Sequence, residues 1–459
     1  MVIFLWSERK FFCLQKIYAR SEKILFRTPF VPSTRERNSA KPVFLVIYSY
    51  AHSSIIKYQT ITMKFTSICV HELEEKRTTR PHTLPIYATS SFDFESIDQG
   101  MDIFSGKETG HLYSRFANPT VDAIAEKIAL LESYETGVEA TAIMTSSGMA
   151  AIATLMLGVL KTGDKILTQA NLYGGTTELF LKILQPLGIE TVFVDLKDTN
   201  AVETAIKNDP SVKMLYFESL ANPSLACVDI AGLTHLAHQN GLLTTIDNTF
   251  TTPYLLKPFV YGVDFIIHST TKYINGHGNS TAGVILGKDK VLMKEKVFTA
   301  MKLTGTNCSP FEAWLTYNGL KTMPLRMRQH SENALFIAKA LEAHPSVLKV
   351  NYPGLASHTD HELATKQLKN GFGGMLSFEL VGGLEAGLAF MNKIKFCSLA
   401  PTMGDVDTLI LHPASMSHLR IPRDVRMANG ITDGLIRLSI GIEDADDILA
   451  DLLQAIPNS

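Results

Sequence analysis

Cysteine is scarce and scattered in this chain. Five residues, Cys13, Cys69, Cys227, Cys308 and Cys397, stand in 459 positions with no CxxC pair among them. That argues against a disulfide framework and a cysteine-based zinc site, and it suits a reducing, cytoplasmic compartment. Charge of one sign is lacking too. The formal net charge is -2, which offers no support for nucleic acid or an anionic membrane as partner. No apolar run reaches the roughly 18 residues of a membrane span; the run 44–48 is far too short. Histidines such as His268 and His277 form no ligand-spaced cluster, so they are expected to be packing or loop residues, and no metal is expected.

The length allows two or three domains with ample core. Residues 1–62 differ from the rest. Basic residues (Arg9, Lys10, Lys16, Arg20 and others) outnumber Glu8, Glu22 and Glu36, with no clear helical or strand period. The reading preferred here is an upstream extension from a misplaced start codon, with Met63 as the true start; a transit peptide is the alternative. N-terminal sequencing of natively expressed protein decides between them.

From about residue 120 strands and helices alternate. A helix at 123–131 precedes a strand at 140–144 and a helix at 149–160. Further strands are expected at 165–169, 191–195, 214–218, 242–247 and 264–268, with helices at 177–187 and 233–239. Such alternation predicts an α/β fold with a mostly parallel sheet covered on both faces. After Pro324 a helix at 328–343 opens a second unit. It continues with strands at 375–380, 408–411 and 436–440 and helices at 384–391 and 446–455.

The most informative stretch is Asp264-Phe-Ile-Ile-His-Ser-Thr-Thr-Lys272-Tyr-Ile-Asn-Gly-His-Gly278. A lysine at the end of an apolar strand is costly to bury. It is kept where a neutral amine is wanted or where its nitrogen is bound covalently. A surface lysine after a strand is the plainer alternative. Ser269 and Thr271 beside it offer hydroxyls to an anion. Upstream, 242–247 is an apolar strand ending in Asp247, and ligands of α/β chains gather at the carboxyl ends of parallel strands. A carboxylate and a lysine on successive strand ends suit pyridoxal phosphate: Asp247 would face the pyridinium nitrogen and Lys272 would hold the aldehyde carbon. A third piece, Thr145-Ser-Ser-Gly148-Met149, is a strand, a small-residue turn and a helix start. It is either a phosphate site or an ordinary turn.

Beyond these pieces the chain resembles the cysteine/methionine-metabolism family of pyridoxal-phosphate-dependent enzymes. The resemblance is carried by Tyr113-Ser-Arg115-Phe-Ala-Asn118-Pro119-Thr120, Ser146-Ser-Gly-Met149, Leu172-Tyr173-Gly-Gly175, Glu218-Ser-Leu-Ala-Asn222-Pro223, Asp247-Asn-Thr and Ser269-Thr-Thr-Lys272-Tyr. Leu411-His-Pro413-Ala-Ser-Met-Ser-His418 and Ile436-Arg437-Leu-Ser-Ile-Gly-Ile-Glu-Asp444 extend it over roughly residues 63–457. It implies the aspartate-aminotransferase-like (type I pyridoxal-phosphate) fold, with an N-terminal arm at 63–120, a cofactor domain at 121–322 and a smaller C-terminal α/β domain at 323–459. It also implies a homotetramer built as a pair of dimers, with sites shared between subunits.

Roles carry over by resemblance. Lys272 holds the cofactor and shuttles protons, Asp247 faces the ring nitrogen, and Tyr173 stacks on the ring. Asn222 contacts the 3-oxygen. The amides of Gly148 and Met149 and the hydroxyls of Ser269 and Thr271 take the phosphate, joined by Tyr113 and Arg115 from a neighbouring subunit. Arg437 clamps the substrate carboxylate, with Thr402 and Tyr113 also near the substrate. The implied chemistry is γ-elimination or γ-replacement on sulfur amino acids or O-acylhomoserines. Subfamily patterns diverge here. Pro401 stands where cystathionine enzymes usually carry glutamate, and Glu178 where bacterial cystathionine γ-synthases tend to carry arginine. Segments 399–405 and 430–434 look most like methionine γ-lyases. Gly175, however, replaces the cysteine typical of those lyases, and Tyr-Gly-Gly-Thr is shared with the sulfhydrylases. Cystathionine γ-synthase and O-acetylhomoserine sulfhydrylase therefore stay open as alternatives. From another class, so does a catalytically silent cofactor-binding relative, against which the intact set Tyr113, Arg115, Tyr173, Asp247, Lys272 and Arg437 speaks.

Overall fold

Strand segments that are apolar at nearly every position demand cover on both faces, and the chain supplies it. The computed structural model describes residues 3–7, 10–14, 63–71, 81–420 and 422–457. The chain divides into two units, Met1–His52 and Ser53–Ser459. In the first, β1 (Ile3–Ser7) pairs antiparallel with β2 (Lys10–Leu14), where the sequence had shown no strand period. The expectations for 15–62 lie outside the described residues.

The second unit holds two sheets. The larger contains β3 (Thr141–Thr145), β4 (Lys165–Thr168), β5 (Glu190–Phe193), β6 (Val212–Glu218), β7 (Leu243–Asp247), β8 (Phe265–His268) and β9 (Gly283–Gly287). Their order is β3-β9-β8-β7-β6-β4-β5. Only β9 runs against its neighbours; the other pairings are parallel. Alternate residues feed two cores, as the two-residue period of a strand requires. Leu215, Phe217, Ile246 and Ile266 join one core, against helix Pro119–Ser133. Met214, Tyr216, Ile267 and Ile285 join the other, against helix Gly148–Val159.

The smaller sheet contains β10 (Val347–Asn351), β11 (Met375–Leu380), β12 (Ser398–Leu399), β13 (Leu409–Leu411) and β14 (Leu435–Ser439), in the order β10-β11-β14-β13-β12. Helices Met323–Glu342, Gly383–Lys393 and Ala445–Ala455 place Ile337, Phe390 and Leu452 in the same core as the first face of the large sheet.

Three strands of the second unit escaped the sequence reading: β9, β10 and the two-residue β12. None has alternation strong enough to separate it from loop. Helix Pro119–Ser133 also begins earlier than expected, because Asn118 Oδ1 accepts the Thr120 amide at 3.0 Å and Pro119 fits the first turn.

Beyond Lys272 the chain turns sharply before returning as β9. Gly276 sits there at φ +68°, and a Cβ on it would lie 1.9 Å from an Arg326 nitrogen. Arg326, buried on helix Met323–Glu342, donates to the carbonyls of Tyr273 (2.7 Å) and Ile274 (3.2 Å). It thus grips the segment that follows the lysine. Among the described residues no helix is long and apolar enough to cross a membrane, and Cys69, Cys227, Cys308 and Cys397 are buried free thiols.

Candidate active site

The carboxyl ends of parallel strands leave backbone amides and side chains without ladder partners, and here those ends converge on one cavity of about 240 Å³. Gly148 follows β3, Tyr173 follows β4, Glu218 ends β6, Asp247 ends β7, and Ser269, Thr271 and Lys272 follow β8. Thr402 and Arg437 close the cavity from the side of the smaller sheet. Asn222 and Met149 line it as well.

Lys272 Nζ donates to Thr402 Oγ1 at 2.7 Å. Burial, and then the nearby Arg437 charge, pull its pKa down to about 8. A lysine held there is a neutral amine for roughly a fifth of the time near physiological pH, far more than an exposed lysine, and that is the state that attacks an aldehyde. Asp247, half-buried, lines the same cavity. Burial pushes its pKa up, while the Thr249 amide, donating to Oδ1 at 3.0 Å, resists the rise. A carboxylate in this condition is suited to a cationic partner, which a pyridinium nitrogen would supply.

The phosphate end is built by helix Gly148–Val159. Ser147 Oγ accepts the Ala150 amide at 3.0 Å, which leaves the earlier amides of Gly148 and Met149 at the open, positive end of the helix. Ser269 packs so closely that a Cβ on Gly148 would sit 2.6 Å from the serine Cβ, so glycine alone fits. Thr271 is placed less simply. Its hydroxyl donates to the Ala282 carbonyl at 3.1 Å and accepts the Ala282 amide at 3.1 Å, and it must exchange the first of these to donate to an anion.

Arg437, at the centre of the small sheet between β11 and β13, donates from Nη2 to the Thr402 carbonyl at 2.9 Å. Its buried Nε has no partner, and burial lowers its pKa to about 10. An unpaired guanidinium N–H facing a cavity asks for an anion, and a substrate carboxylate meets that need. The lysine, the aspartate, the helix end and the unpaired guanidinium fit pyridoxal phosphate with an amino acid beside it.

Tyr113 and Arg115 do not line the cavity of their own chain. Arg115 donates to the Lys302 carbonyl and stacks on the Phe116 ring at 4.8 Å. Glu178 does not line it either. It is 67% exposed and paired with Lys182 at 2.7 Å. Pro401 does line the cavity.

His268 is indeed a packing residue, but a polar one. Its Nε2 lies 2.6 Å from Glu132 Oε1 with both side chains fully buried, and Asn248 Nδ2 donates to the same oxygen at 3.1 Å. His277 is a loop residue, with Nδ1 2.6 Å from the Asn275 carbonyl. Among the described residues no group of His, Cys, Asp and Glu is arranged to hold a metal ion. The sequence reading assigned no role to Glu218, Tyr216 or Arg326. Glu218 lies within a motif already quoted, but its part depends on which strand lies beside it.

The family model described as "Cys/Met metabolism PLP-dependent enzyme" matches residues 66–457. An L-methionine gamma-lyase of Fusobacterium nucleatum subsp. polymorphum is 45% identical over 375 residues, covering 81% of this chain and 93% of the relative. An O-succinylhomoserine sulfhydrylase of Pseudomonas aeruginosa is 39% identical over 392 residues, covering 85% and 95%. Among solved structures, the cystathionine gamma synthase of Xanthomonas oryzae pv. oryzae in complex with aminoacrylate and cysteine superposes with a TM-score of 0.80. It is 37% identical and covers 86% of this chain and 98% of its own. With the strand-end lysine and aspartate already in place, these likenesses make the chain a member of the Cys/Met metabolism family of pyridoxal-phosphate-dependent enzymes, an enzyme of γ-elimination and γ-replacement.

Proposed function

We propose that this enzyme acts chiefly by γ-elimination on methionine or homocysteine, and performs γ-replacement when an O-acetylhomoserine meets a thiol. The observation that carries this reading is the wall formed by Pro401 and Met403 beside Thr402 and Lys272, with Phe250 also lining the cavity. That wall is apolar where an amino or carboxylate group at the far end of a longer substrate would want a charge. A thioether is content there.

When bound, pyridoxal phosphate supplies an electron sink for negative charge at the substrate Cα. The residues do the rest. Arg437 binds the α-carboxylate and fixes which end of the substrate faces Lys272. Lys272, once released from the cofactor, takes the proton from Cα and moves a proton at Cβ, with Thr402 Oγ1 orienting its nitrogen. Tyr173 covers the ring. Expulsion of the γ-thiol and hydrolysis convert methionine and water to methanethiol, 2-oxobutyrate and ammonia.

The site is completed, in this reading, by Tyr113 and Arg115 of a neighbouring subunit, in a homotetramer located in the cytoplasm. Their position outside their own cavity supports that assignment. The domain limits 63–120, 121–322 and 323–459 belong to the same proposal.

The test compares initial rates on methionine, homocysteine, cystathionine, O-acetylhomoserine and O-succinylhomoserine, each with and without cysteine. Methionine or homocysteine should release 2-oxobutyrate fastest. If O-succinylhomoserine with cysteine is clearly the best pair, the enzyme is a cystathionine γ-synthase and this reading fails.

A further inference from the structure

Adjacent parallel strands β6 and β7 are in register at their last residues, Glu218 opposite Asp247. Paired residues of a parallel ladder point to the same face, so two carboxyl groups share one wall of the cavity. The Ser219 amide donates to the Asp247 carbonyl at 3.0 Å and fixes the spacing of the two strand ends. Tyr216, two residues earlier on β6, lies on the same face with its hydroxyl beside Asp247.

The two acids differ in what they hold. Glu218 Oε1 accepts the Tyr173 amide at 2.6 Å, while Asp247 Oδ1 accepts the Thr249 amide at 3.0 Å. Tyr173 ends the loop after β4, just before the helix Gly174–Leu179. One side chain at the end of β6 therefore holds the loop that follows the neighbouring strand β4. Without it the Tyr173 amide lacks this acceptor.

We propose that Glu218 is a positioning residue that clamps the Tyr173 loop to the end of β6, and that it works as the neutral partner of an ionised Asp247. The inference rests on the cofactor reading above. Two carboxylates on one wall of the cavity resist joint ionisation, and the pyridinium nitrogen assigns the charge to Asp247. Burial and the Asp247 charge push Glu218 up to about 8, in keeping with that division.

The test uses the full-length protein, stripped of cofactor and titrated with pyridoxal phosphate, as wild type, E218Q, E218A and E218L. Glutamine keeps the acceptor oxygen and cannot ionise; alanine and leucine offer no acceptor, and leucine keeps the bulk. Binding is read from the visible absorption band, and the posture of Tyr173 from the circular dichroism of that band. E218Q should stay within about twofold of wild type in affinity with an unchanged dichroic band. The apolar variants should bind about tenfold or more weakly, with a diminished band, as expected when a donor loses its acceptor. If E218A does not melt cooperatively, E218L and E218Q carry the comparison. Wild-type affinity and dichroism in an apolar variant overturn the clamp. Loss in E218Q equal to that in the apolar variants overturns the neutral role. Failure of the wild type itself to take up the cofactor defeats the cofactor reading instead, so the two failures are distinct.

Discussion

At the scale of single residues, the chemistry concentrates on Lys272 and Arg437. Lys272→Ala should abolish the visible band of lysine-bound cofactor and its sensitivity to borohydride, which absorption spectra would show directly. Because the Lys272 pKa lies near 8 rather than 10.5, the rate of covalent cofactor uptake should rise with pH, reach half its maximum near pH 8 and level off above about pH 9. A midpoint near pH 10 or above in a stopped-flow series would mean that the amine is not desolvated as described. Arg437→Lys removes the planar fork and leaves a point charge. A lost charge-assisted contact of about 1.5–3 kcal/mol corresponds to roughly ten- to a hundredfold in kcat/KM, and most of it should appear in KM. The placing of Lys272 and Asp247 at neighbouring strand ends was legible in the sequence, since each ends an apolar strand and the two strands follow closely. That of Glu218 was not, because it needs the in-register pairing of β6 with β7.

Elements act through their ends. The helix Gly148–Val159 can serve an anion only if Ser269 comes close to its first turn, and Gly148 leaves room for that approach. Gly148→Ala should force the two apart, at about 1–3 kcal/mol for overpacking, and weaken cofactor affinity about tenfold or more. Cofactor titration alongside a thermal melt separates this from general unfolding: the melt of the cofactor-free protein should move little compared with the affinity. The turn Ser146–Met149 was visible in the sequence but weak as evidence, because turns of small residues are frequent. Contact with Ser269 from the end of β8 is what sets it apart. The antiparallel course of β9 also went unread. Nothing local in Gly283–Gly287 states direction, which is set by the tight turn that Arg326 holds after Lys272.

For the whole molecule, the join between the two sheets contains a pH-sensitive buried group. His330 donates from Nδ1 to the Ile440 carbonyl at 2.7 Å and packs edge-on against Tyr273. Burial lowers its pKa to about 4 from 6.5. The unfolded chain thus binds this proton first as pH falls. The contribution is fully present above about pH 6.5 and is lost as pH drops toward 4, on the order of 3 kcal/mol. Thermal melts across that window should fall less steeply for His330→Gln than for wild type. Assembly is open to a separate test. If each site takes Lys272 from one subunit and Arg115 from another, inactive Lys272→Ala and Arg115→Ala proteins should regain activity when dissociated and reassociated together. About a quarter of wild-type activity is expected from random pairing. No recovery despite mixed oligomers would place Arg115 outside the shared site.

The sequence by itself determined the fold class, the cofactor and the two strand-end residues that share one cavity. These depend on local period and on residue types whose chemistry has few other uses at such places. Tertiary structure decided what depends on neighbours distant in the chain. It set the register that places Glu218 against Asp247 and the partnerless Nε of Arg437 facing the cavity. It also turned Glu178 out to solvent while leaving Pro401 in the wall. Each of these follows from burial and proximity, which a residue acquires only when other elements pack against it.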